Sequence, residues 1–155
     1  VGLMGAAATV AGQNLGAGRS DRASRAGWMA TAFCTAVGVV FFVLEVLFPE
    51  RFAAFFSTDP AVIAEGANYL RIAAVSQLAI CAEIVLEGAL GGAGHTMAPM
   101  VTSTVITVSR IPLAAWAAGV WGTTGIWWVI SLTAIARGLA MVWLWRAGGW
   151  KTRSV

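Results

Sequence analysis

Glu83, Glu87, Arg110 and Arg137 stand in stretches of sequence that are otherwise nearly free of charge, and Gln77 shares one of them. Ionisable groups in apolar surroundings are costly, so they pair with one another or line routes for ions and polar ligands. Glu83 and Glu87 are four residues apart, which puts both carboxylates on one face of a helix. Carboxylates facing guanidinium groups can form buried ion pairs, or can exchange H⁺ or Na⁺ as the pairing changes. Bond-making chemistry has no comparable support. No HExxH, no GxSxG and no Cys/His metal spacing is present, and the single histidine leaves no His pair for a metal.

The elements that position these groups follow from composition. The 155 residues are 59% hydrophobic and 11% charged, with a mean hydropathy of +0.79. Soluble domains carry about 25% charged residues, so an all-α integral membrane protein is expected. The net charge of +3 matters less than where the charges lie. No basic stripe interleaves with aromatic residues, which argues against nucleic acid as a partner. Cys34 and Cys81 each sit in an apolar run, as small buried hydrophobes do. The chain opens at Val1 in what reads as mid-helix, without the basic region or cleavage site of a signal peptide, and is expected to be a fragment of a longer protein.

Five helices are predicted, over about 1–16, 26–48, 61–90, 99–121 and 126–145. The first is truncated and the other four are full spans, since about 20 apolar residues cross a bilayer core. Gly5, Ala8, Gly12 and Gly16 put small residues at helical spacing on the first helix, which lets membrane helices approach closely. Thr58 or Asp59 before Pro60 starts the third helix. Pro112 is expected to kink the fourth, and Gly122-Thr123-Thr124-Gly125 to form the turn into the fifth. Tryptophans 127, 128, 143 and 145 mark both ends of that last span as an aromatic belt. Between the third and fourth helices, Gly88, Gly91, Gly92 and Gly94 thin out a tight corner that also holds His95, and Pro99 suits the first turn beyond it.

Charge placement sets the orientation. Residues 17–25 and 146–155 fall on one side by span parity and hold six of the ten Lys/Arg, against one, Arg51, in 49–60 and 122–125. The positive-inside rule makes the first two segments cytoplasmic, together with the glycine corner. Phe52, Phe55 and Phe56 then suit the outer interface.

GQNLGAGRSDRA, the corner GALGGAGHTMAPM, RIPLA and GGWK, in that order, resemble the multidrug and toxic compound extrusion (MATE) transporters. The resemblance covers the whole chain, with Gly91 and His95 departing from the usual arginine and aspartate of the corner. It implies twelve helices in two six-helix lobes, of which this chain would be most of the second, the N-terminal lobe of the same protein being its partner. It further implies a multi-pass protein of the cytoplasmic membrane with a cytoplasmic C-terminus. Such a protein would export small organic cations or amphipathic compounds against an inward flow of H⁺ or Na⁺, with no other cofactor and with lipids around it. A lipid-linked oligosaccharide flippase of the same superfamily is the alternative; a membrane-embedded enzyme is the rival from another class.

Counting about 1.5 Å per residue from the cytoplasmic end, Glu87 lies about 6 Å deep, Glu83 about 12 Å, Arg137 about 13 Å and Arg110 about 16 Å. Glu83, Arg137 and Arg110 therefore share a slab. Gln77 is expected to hydrogen-bond between helices, His95 to be a solvated turn residue, and Arg71 and Glu45 to snorkel at the outer interface. The orientation is directly testable in the full-length protein with Cys34 and Cys81 replaced. Cysteines at Ser20 and Ser57 should label from opposite sides with an impermeant thiol reagent; labelling of both from one side excludes this topology.

Overall fold

A computed structural model describes residues 2–152; Arg153, counted above in the basic tail, lies outside them. The chain forms α1 (Gly2–Gly16), α2 (Ser20–Leu47), a short α3 (Pro49–Ala54), α4 (Pro60–Gly92) and α5 (Met97–Ala147), with no strand among the described residues. The protein is all-α, and α2, α4 and α5 are each long and apolar enough to cross a membrane. Their outward faces carry Met29, Phe33, Val40, Val105, Ile111, Leu132 and Leu139, all more than half exposed. Exposed apolar cover on that scale suits lipid and not water.

Two boundaries differ from the sequence expectation. α2 begins at Ser20, inside the basic segment, because Ser-Asp-Arg-Ala-Ser-Arg has nothing to break a helix. The last two spans are joined in one stretch of 51 residues whose only non-helical backbone is Gly122, at φ 61 and ψ −146. That conformation belongs to glycine. A straight helix would put Arg110 and Thr133 about 34 Å apart, yet they are hydrogen-bonded at 2.8 Å. α5 is therefore a hairpin of two limbs, 97–121 and 123–147, reversed at one residue instead of the four expected. The backbone runs through Pro112 with helical angles, so the break falls at glycine and not at proline.

α4 is the central element and touches all four other helices. Its start is fixed by Asp59, whose side chain accepts from the Ala61 N–H at 2.8 Å, with Pro60 in the first turn. At its other end it lies directly on α1. A Cβ placed on Gly92 would sit 2.0 Å from the Ala8 carbonyl oxygen, and one on Gly88 would sit 2.6 Å from that of Met4. From the α1 side, a Cβ on Gly12 would meet Gly92 O at 2.7 Å. Of the small residues expected on α1, Ala8 and Gly12 make this contact, whereas Gly5 and Gly16 face open space. The corner glycines divide likewise. Gly88 and Gly92 pack, Gly91 meets nothing within 4 Å, and Gly94 supplies the turn at φ +71.

The hydrophobic core gathers at this same end, from Ala7, Ala11, Leu15, Ala23, Val85, Leu86, Ala89, Leu90, Met141, Trp145 and Trp150. Trp145 is 1% exposed, so it is a core residue and not part of an interfacial belt. Its ring stacks on Trp150 at 4.1 Å, and Gly27 leaves room for it on α2. Trp150 Nε1 donates to the Trp145 carbonyl at 3.0 Å, closing the chain end over the bundle after the left-handed cap at Gly148. This packing predicts a contrast between adjacent glycines. Gly88→Leu in the full-length protein should destabilise it by about 1–3 kcal/mol or prevent folding, while Gly91→Leu should leave the yield of monodisperse protein unchanged. Equal yields would exclude close packing at Gly88.

Candidate functional site

Of the four charged residues singled out by sequence, two are bonded to each other. Arg137 and Glu83 form an ion pair between the second limb of α5 and α4, Nη2 to Oε1 at 2.5 Å. Glu83 is 6% exposed. α4 presents it between Ile72, Ala74, Ser76 and Cys81 on one side and Val85 and Leu86 on the other, all buried. The guanidinium Nε of Arg137 is also shut from solvent and has no partner. A buried charge left alone is strongly destabilising, so each member of such a pair holds the other in place.

Arg110 lies in the expected slab but is not bonded to the carboxylate. Its Nε donates to Thr133 Oγ1 at 2.8 Å, one helical turn from Arg137, and the Thr133 hydroxyl donates in turn to the Val129 carbonyl at 2.7 Å. Glu87 is half-buried one turn beyond Glu83 and lines a groove near the corner with Met4, Gly91, Pro99, Met100 and Ser103. Gln77 was expected to join helices; it instead lines a cavity with Glu45, and makes no helix-to-helix hydrogen bond among the described residues.

Two further expectations change. Glu45 does not snorkel outward, since its Oε2 is enclosed without a partner. The sequence carried a signal for this: Glu45 is seven residues past Gly38 and continues the inward stripe Gly27, Thr31, Cys34, Gly38. His95 is not a free surface group. Its Nδ1 is enclosed and unpartnered, and a Cβ on Gly149 would lie 3.9 Å from its Cε1. Arg71 is ion-paired with Glu50 of α3, at the end of α4 away from the glycine corner. The backbone N–H of Glu50, followed by the Arg71 guanidinium, holds that carboxyl below the usual carboxylate range. The same end is tied by Asn68 donating to Thr124 at 3.1 Å and Trp127 Nε1 donating to Glu65 at 2.8 Å.

Polytopic helices with a charge pair buried between two spans define an all-α membrane protein. Comparison with known proteins makes that specific. The profile of the MatE family matches residues 1–116, and the chain belongs to this family. It is 27% identical over 161 residues to the "Probable multidrug resistance protein NorM" of Thermotoga maritima, covering 99% of this chain and 34% of that protein. It is 30% identical over 151 residues to the protein of the same name from Deinococcus radiodurans, covering 92% and 33%. A further relative, 26% identical over 133 residues with 85% and 29% covered, is the "FAD transporter" of Shewanella oneidensis. The chain thus spans about a third of the length of these curated relatives. The membership places it among transporters and not among enzymes.

The pair makes a quantitative prediction about stability. In the full-length protein, Glu83→Gln should cost about 3 kcal/mol, near the lower end for a broken buried pair, because Arg137 keeps 23% exposure. The double change Glu83→Gln, Arg137→Gln should recover most of the loss, read as thermal unfolding in detergent. A double variant less stable than the single one would show that the two residues do not act as a pair.

Proposed function

We propose that this chain is most of the second lobe of a secondary antiporter that exports cationic or amphipathic organic compounds in exchange for H⁺ or Na⁺. The observation that carries the reading is the Glu83–Arg137 pair at the interface of α4 and α5, in a chain of the MatE family. The names of the two NorM relatives point to multidrug resistance for those proteins, and the substrate class is carried over from them.

The pair supplies a means of coupling. Rearrangement of the α5 hairpin against α4 would separate the guanidinium from the carboxylate. A carboxylate left in an apolar site needs another cation, and H⁺ or Na⁺ can fill that role. Return of Arg137 would release it. Glu87, at the edge of the groove beside the glycine corner, lies one turn along the same face and gives the released cation a polar step towards that end. Arg110, held by Thr133, keeps a second positive charge nearby. The excess of Lys/Arg at the end formed by the 17–19 loop, the corner and the tail favours the cytoplasmic side for that end. The protein would then sit in the cytoplasmic membrane with its C-terminus inside.

The test uses cells expressing the full-length protein and efflux of a fluorescent organic cation, with the H⁺ and Na⁺ gradients collapsed separately. Collapse of one gradient should abolish efflux, and the folded double variant Glu83→Gln, Arg137→Gln should remain inactive. Efflux that survives both collapses overturns antiport, and normal efflux by the double variant removes the pair from the mechanism.

A further inference from the structure

Where α2 gives way to α3, the surface is aromatic. Phe48 ends α2 and starts α3, and Phe52, Phe55 and Phe56 follow on α3 and just beyond it. Phe55 and Phe56 are each 87% exposed, more than any other large apolar residue described. They meet edge to face at 5.7 Å. With Leu44, Phe48, Arg51 and Phe52 they line a groove of about 520 Å³. Leu44 belongs to a stripe on α2, since Val37, Phe41 and Leu44 lead up to Phe48 at steps of three or four residues. Val37, Phe41 and Phe48 are exposed and Leu44 is half-buried. From Phe48 back to Val37 the stripe runs about 16 Å, which matches one leaflet, half of a hydrocarbon core about 30 Å thick.

One cation stands at this groove. Arg51 is exposed, and its guanidinium lies 5.4 Å over the centre of the Phe48 ring. Such a contact leaves N–H donors of the guanidinium free, and their fork matches the oxygens of a phosphate. No acid lines the groove. Glu50, the neighbour of Arg51 in sequence, is ion-paired with Arg71, and among the described residues Arg51 has no ion pair. A guanidinium at the head of an apolar channel one leaflet deep has the layout of a phospholipid, with phosphate above and hydrocarbon below. With Glu50 taken up, nothing in the lining rewards an ammonium head group, so a lipid of net negative charge fits better than a zwitterionic one.

We propose that the groove between the end of α2 and α3 binds one anionic phospholipid, with its phosphate on Arg51 and an acyl chain along Phe52, Phe48, Leu44 and Phe41. The site lies at the end of the bundle away from the glycine corner and does not depend on the Glu83–Arg137 pair or on the antiport reading. α3 is tied to α4 through Glu50 and Arg71, and Ala53 packs against Gly66. A lipid seated between α2 and α3 therefore braces the connection from α2 to α4, and its binding stabilises the folded protein by mass action.

The test uses purified full-length protein in detergent, with dioleoylphosphatidylglycerol and dioleoylphosphatidylcholine as the probes. Native mass spectrometry counts retained lipid, and thermal unfolding reports stabilisation. Wild type should retain phosphatidylglycerol in preference to phosphatidylcholine. Arg51→Gln should weaken the binding of one phosphatidylglycerol about tenfold, a loss of about 1.4 kcal/mol, and reduce the stabilisation that this lipid gives. Phe52→Ala should weaken the same copy through its chain. Arg22→Gln, in the basic segment at the opposite end, should leave that copy in place. Glycerol phosphate, which has the head and no chain, should not displace it. Arg51 is exposed, so Arg51→Gln should unfold at the wild-type temperature without lipid; Arg51→Lys, with binding between the two, replaces it should it fail to fold. Equal phosphatidylglycerol binding by wild type and Arg51→Gln overturns the proposal. Full displacement by glycerol phosphate also overturns it, leaving a plain phosphate site. A groove covered by another part of the full-length chain would show a third pattern: Phe52→Ala lowers the unfolding temperature equally with and without lipid, and no retained copy depends on Arg51. That result overturns the proposal as well.

Discussion

Two missing side chains set the geometry of this protein. At Gly88 and Gly92 the α4 backbone comes so close to α1 that a Cβ would lie within 2.6 Å and 2.0 Å of carbonyl oxygens of Met4 and Ala8. In lipid there is no hydrophobic drive to bring helices together, so contact of this kind has to come from shape. The buried core collects at the same end, and the Trp145–Trp150 stack caps it. α4 is thereby held as the fixed member of the bundle, and the charged residues it carries are placed relative to that anchor.

The polar groups inside the bundle obey a different economy. Glu83 and Arg137 pair with each other, with the Arg137 Nε left over, and Arg110 Nε donates to a threonine hydroxyl that is itself tied to the helix backbone. Glu45 has no such partner. The two carboxylates therefore stand in different conditions within one small bundle, one neutralised by a neighbouring helix and one facing a small cavity. The contrast arises from packing: the α5 hairpin presses Arg137 against α4 at one level, and leaves a gap towards α2 at another.

Much of this was legible in the sequence, and the rest failed for identifiable reasons. Hydropathy and the glycine corner located the helices, and counting residues from the corner put Glu83 level with Arg137, because the rise of a helix is nearly constant. The four-residue turn at 122–125 was overestimated because threonines tolerate helix as readily as turn, and only Gly122 needs its unusual backbone. Glu45 was misread because a single carboxylate near a helix end invites a snorkelling interpretation. The seven-residue step from Gly38 pointed inward all the same. The enclosure of His95 had no local signal, since the chain that covers it arrives more than fifty residues later.

The one-residue reversal at Gly122 also bears on how the chain enters the bilayer. Between Arg110 and Arg137 there is no Asp, Glu, Lys, Arg or His over 26 residues. Inserting an arginine at the centre of a membrane helix costs about 2.5–3.5 kcal/mol on the translocon scale. The tip of the α5 hairpin incurs none of this, so both limbs can be threaded across the membrane as a single preformed unit during synthesis. The arginines follow only part of the way, where Thr133 and Glu83 receive them.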